Sequence, residues 1–226
     1  MTKIALLDIR KKDYRNAARH ALTALKYGNE NMLAVAAYYI ATHNEIYLGN
    51  GLKKDPLNHM LRYLADASDF IEIMDSNPAE TCLDVCFDLA LMGRYEDIIC
   101  ILEKLLDKKP SCAEPMVLYT LGYYKKLVGQ AYNEFYKQAE EAEIGATYPV
   151  RLQEMQILES VIEETCSKKA KLLLGCLLYN KRHYESAAKL WEACDDYISV
   201  RNLAVAYFSH LDRKAEALSL MRRAIE

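Results

Sequence analysis

The chain has 226 residues, enough for one sizeable core or two small ones. Hydrophobic residues make up 52% and charged residues 27%, a globular balance that excludes an extended disordered chain. A formal charge of −3 gives no electrostatic pull towards nucleic acid, and eight Gly, five Pro and a weak β-branched bias favour helix over strand.

From the N-terminus, Ala17, Ala21 and Ala24 recur at i, i+4 and i+7, which places them on one helix face; Tyr14 stands three residues before them. Over 30–75 the pattern is weak. Lys53-Lys54 reads as the end of a helix, where cations complement the dipole. Asp55-Pro56 reads as the start of another, with Asp as N-cap and Pro at the first position. The clearest stretch follows Asn77-Pro78. Cys82, Val85, Cys86 and Leu89 form one stripe, Gly93-Arg94-Tyr95 forms a turn, and Ile98, Leu102 and Leu105 form a second stripe before Lys108-Lys109-Pro110. That is a hairpin of two amphipathic helices, a repeat unit of about 34 residues. A similar hairpin is expected over 115–142 around Leu121-Gly122, and the pattern weakens again over 147–165. It returns over 168–194 with Leu174-Gly175, Tyr184, Ala187, Trp191 and Cys194. A last unit over 197–226 carries Ala217, Met221 and Ala224, with Lys214 where the tyrosine would stand. The interval from Tyr14 to Tyr184 is about five periods of roughly 34 residues. The small residues give notches where two helices can cross closely.

These residues resemble the tetratricopeptide repeat, which places Leu-Gly on its first helix and Tyr, Ala and an aromatic on its second. Leu174-Gly175, Tyr184, Ala187 and Trp191 follow that pattern. The resemblance implies an all-α fold, a tetratricopeptide-like α-α superhelix of antiparallel hairpins, as one domain over 1–226 with its clearest repeats at 79–110 and 168–194. Tyr148-Pro149-Val150-Arg151, Leu174 to Tyr179, Trp191-Glu192 and Arg201-Asn202-Leu203-Ala204 further resemble the repeat-rich tail of large bacterial proteins that carry an upstream mutarotase-like domain of unknown function. The apolar-faced helix ending at Glu226 has no polar capping helix after it, so the chain reads as a piece of a longer protein.

No Gly-rich phosphate loop, His-Glu-x-x-His or Gly-x-Ser-x-Gly elbow is present, so no catalytic residue and no cofactor is expected. His20, His43, His59, His183 and His210 are scattered singly, and the carboxylate pairs Asp195-Asp196 and Glu163-Glu164 read as solvated charge with nothing converging on them. Seven cysteines without a leader point to a reducing, cytoplasmic setting. Cys82 and Cys86 share the apolar stripe and lack a second ligand pair, so buried thiols are expected and no metal. The apolar runs at 32–40 and 172–174 are too short to span a bilayer.

The resemblance places function on the inner, first helices. Transferring its pattern puts Tyr119, Tyr123 and Lys126 on one of them, Leu172, Cys176, Tyr179 and Asn180 on a later one, and Arg201, Asn202 and Phe208 on the last. Tyr119, Tyr123, Lys126, Tyr179, Arg201, Asn202 and Phe208 are therefore the expected partner-binding residues, suited to an extended peptide or a helix. A clamp for a partner's C-terminal carboxylate is not expected, because Leu83 and Phe87, and Leu172 and Cys176, occupy its places. The function expected is a non-catalytic protein-interaction scaffold. The alternative is an accessory domain packing on a carbohydrate-active domain of the same bacterial polypeptide. RNA binding is disfavoured by the lack of a basic inner stripe.

Overall fold

A computed structural model describes residues 1–28, 31–66, 70–72 and 77–225, apart from the side chains of 223–225. Ala224 of the last triplet and Glu226 therefore lie outside the described side chains. Contacts divide the chain into two compact units, Met1–Cys112 and Ala113–Glu226. Among the described residues there are fourteen α-helices and no strand, the all-α architecture of antiparallel hairpins that the periodicity predicts. None of these helices is long and apolar enough to cross a membrane.

In the first unit, α1 (Thr2–Arg10) pairs with α2 (Tyr14–Tyr27), and α3 (Met32–Thr42) with α4 (Glu45–Lys54). A short α5 (His59–Ala65) follows, and α6 (Pro78–Leu91) pairs with α7 (Tyr95–Lys108) before a 3₁₀ turn at Pro110–Cys112. Side-chain caps set several starts: Asp13 accepts from Asn16 N at 3.2 Å and Asn31 from Ala34 N at 3.0 Å. Both predicted stripes are buried, Ala17, Ala21 and Ala24 on α2 and Ile98, Leu102 and Leu105 on α7. Cys82 and Cys86 are buried on α6. Asp55-Pro56 does not open a helix. Asp55 ends α4, and α5 starts three residues after Pro56, behind Asn58, whose side chain accepts from Leu61 N at 3.1 Å. An amide that reaches a free N–H one turn on satisfies the helix end better than Asp55 can from outside the turn.

In the second unit, α8 (Pro115–Leu127) pairs with α9 (Asn133–Glu141), α11 (Lys168–Asn180) with α12 (Tyr184–Glu192), and α13 (Tyr197–Ser209) with α14 (Lys214–Ile225). A single helix, α10 (Leu152–Thr165), is interposed and packs on α8 and α11, the first helices of their hairpins. Glycine marks the closest crossings. A Cβ on Gly175 would stand 2.3 Å from Trp191 Nε1, and one on Gly122 would stand 2.5 Å from Tyr136 Cε1. The Trp191 indole uses that room to donate to Leu172 O at 3.2 Å. Of the described members of the last triplet, Ala217 is in the core and Met221 is 40% exposed.

Candidate functional site

On α8 the three expected positions meet different fates. Tyr119 is fully buried. Its ring meets Tyr136 edge-on, and its hydroxyl lies 2.8 Å from Ser167 Oγ and donates to Glu140 Oε2 at 3.2 Å. Burial pushes its phenol above the ordinary range. It is therefore a core residue and not a docking contact: Ser167, in the turn between α10 and α11, closes over it. Lys126 is half exposed, but its ammonium is bound to Glu164 of α10 and lies 5.7 Å from the Tyr132 ring centre. Tyr132 also donates to Glu164, so the carboxyl is held below its usual range by Lys126 first and Tyr132 second. Glu164 is thus a point of convergence, contrary to the expectation of solvated charge, and Lys168 likewise reaches Asp195 at 2.8 Å. Tyr123 is half buried and meets Tyr124 edge-on at 5.3 Å.

The second group lies on α11 and α13. Leu172 belongs to the core and Cys176 is half buried, so the inner positions expected there are only partly open. Tyr179 shares a hydrogen bond with His210 Nε2 at 3.0 Å, and its ring packs 5.7 Å from Trp191. His210 in turn stacks flat on Tyr184 at 3.8 Å. Asn202 donates to Cys176 Sγ at 3.6 Å, tying α13 to α11. Arg201 and Phe208, two turns apart, point outward from α13, and Phe208 is 56% exposed. The structure thus brings Tyr179 and Asn202 into side-chain contacts between the hairpins and leaves Arg201 and Phe208 open.

Two further aromatics belong to this surface. Tyr197 is 62% exposed, four residues before Arg201 and on the same helix face; its spacing could have revealed it. Tyr148, in the segment before α10, is half exposed. Burial raises its phenol, the Cys176 thiol adds to the shift, and the Arg201 guanidinium opposes it. No periodicity could have placed a loop tyrosine beside a helix about 50 residues on. Among the described residues no cluster of three His, Cys, Asp or Glu side chains is arranged to hold a metal.

These features define a class: an all-α protein of antiparallel helix hairpins with an aromatic and arginine face on its second unit. No family model matches the chain, and no curated protein matches it. Among solved structures it is similar to the crystal structure of MamA protein, at 16% identity over 99% of this chain and 90% of that one, with a TM-score of 0.33. It is also similar to PilF of Pseudomonas aeruginosa, at 17% identity over 98% of this chain and 89% of that one, with a TM-score of 0.27.

Proposed function

We propose that the chain is a non-catalytic protein-interaction scaffold, and that its second unit docks an extended peptide or a short helix along α13 with Arg201 and Phe208 as anchors. The observation that supports this most is the two-sided character of α13. One side buries Val200, Leu203, Ala204, Ala206 and Tyr207, while the other holds Tyr197, Arg201 and Phe208 out to solvent. Aromatic rings beside an arginine are the side chains that most often dominate protein contacts. The fitting partner offers an apolar side chain to Phe208 and a carboxylate to Arg201. Tyr179 and Asn202 shape the edge of the surface through their bonds to His210 and Cys176. Tyr123 and Lys126 of α8 are a second candidate contact, with Lys126 already bound to Glu164.

Peptides selected from a random displayed library on the purified chain test this reading. Binding should weaken by at least about tenfold in the Arg201→Ala, Phe208→Ala double variant, with helicity unchanged. Peptides that bind the double variant as well as the parent, and are lost instead with Lys189→Glu on α12, would move the site to the outer helices.

A further inference from the structure

Three turns of the first unit meet around a cleft of about 480 Å³. They follow α1, α3 and α6, and each holds one residue in the left-handed region: Lys12, His43 and Gly93, with φ of 61°, 54° and 73°. Arg10, Lys12, His43 and Arg94 line the cleft together with the carboxylates Glu96 and Asp97, and Ile9, Ile40 and Met92 form its buried floor.

The cations are not equivalent. Arg94 is neutralised through both oxygens of Asp97, which also accepts from the Tyr63 hydroxyl at 2.9 Å. Arg10 is positioned without being neutralised. Its stem lies against Gly93, where a Cβ would come within 2.9 Å of Arg10 Cγ, and its Nη2 donates to the neutral Tyr95 hydroxyl at 3.1 Å. Among the described residues no carboxylate pairs with Arg10 or Lys12. Cations at helix C-termini ordinarily complement the dipole. That accounts for Arg10 at the end of α1, but not for a guanidinium held in place by a residue of another hairpin. Nor does it account for its convergence with Lys12 and His43 over an apolar floor. A preorganised arginine with unused N–H donors is suited to a planar or tetrahedral oxyanion, and a cleft of this size accommodates a small organic molecule.

We propose that this cleft binds a small organic oxyanion, a carboxylate or phosphate carried on an apolar body, with Arg10 and Lys12 holding the charge and Ile9, Ile40 and Met92 receiving the body. This site is independent of the α13 surface.

Calorimetric titration of the full chain with phenyl phosphate and with benzoate, using benzyl alcohol as the neutral control, tests it. At least one anion should bind with a dissociation constant below about 10 mM, and benzyl alcohol should not bind. Binding of phenyl phosphate alone assigns a phosphate ligand, and of benzoate alone a carboxylate. Lys12→Glu, at an exposed position, and Arg10→Gln should each weaken binding about tenfold with circular dichroism unchanged. If Arg10→Gln unfolds the first unit, Lys12→Glu decides alone. Failure of both anions, equal binding of benzyl alcohol, or an unaffected Lys12→Glu variant would overturn the proposal.

Discussion

Gly175 and Gly49 are both helical glycines, yet their surroundings predict opposite responses to alanine. A methyl at Gly175 would press on the indole of Trp191, a rigid ring with nowhere to turn, while a methyl at Gly49 meets nothing within 4 Å. Gly175→Ala should cost roughly 1–3 kcal/mol by overpacking. Gly49→Ala should instead add about 0.5–1 kcal/mol, since the helix loses the entropic cost of glycine without any clash. Trp191→Ala, which empties a buried site, should cost about 3–5 kcal/mol. Chemical denaturation of the three variants checks the signs, and destabilisation by Gly49→Ala would contradict the packing. The cysteines divide in a related way. Burial pushes the Cys82 thiol up to about 12 and the Cys176 thiol up to about 11, whereas Cys100 and Cys166 are exposed. Under native conditions at neutral pH a disulfide reagent should therefore modify these two exposed thiols quickly, the half-buried Cys176 slowly, and the four buried thiols only on unfolding. Rapid modification of Cys82 or Cys86, located by mass spectrometry, would place α6 differently.

At the scale of elements, α10 covers part of the two helices on which it packs, α8 and α11. It is joined to α11 only through Cys166 and Ser167, and it packs on the first helices of two hairpins. Its buried Glu154 accepts from the backbone N–H groups of Val150 and Arg151 at 2.6 Å each, which anchors its N-terminal end. Its other end is held by Glu164, bound to Lys126 and Tyr132. Because the folded state depresses the Glu164 carboxyl below its ordinary value of 4.5, the unfolded chain binds more protons across that range. The stabilisation is present above the ordinary value and is lost as pH falls through the lower folded one. Glu164→Gln should therefore differ most from the parent near neutral pH and converge with it in acid. The difference should be small, because the pair is partly exposed and screened. Melting temperatures measured across that range test this, and a gap that widens on acidification would refute it.

At the scale of the whole molecule, each compact unit has its own buried core. Leu83, Leu89, Ile98 and Leu102 serve the first, and Leu172, Trp191, Leu203 and Tyr207 the second. Residues 1–112 and 113–226 expressed separately should each remain helical and melt cooperatively. A non-cooperative melt from either half would mean that its core is incomplete without the other.

What the sequence determined by itself is the local chemistry of the chain. Apolar residues at i, i+4 and i+7 make a helix amphipathic wherever the helix lies, so the stripes on α2, α7 and α12 were legible. The resemblance puts Arg201 and Phe208 on one helix, and both are exposed on α13. Tertiary structure decided which amphipathic faces are covered. Tyr119 looks like a surface aromatic until Ser167, a residue 48 positions away, closes on its hydroxyl. Arg10 looks like a routine C-terminal cation until Tyr95, 85 positions away, holds it over a cleft. The weak pattern over 147–165 reflects α10, a single helix with no second helix to form a hairpin of its own. Burial and charge pairing depend on what packs across the gap, and helical periodicity carries no information about neighbours that far along the chain.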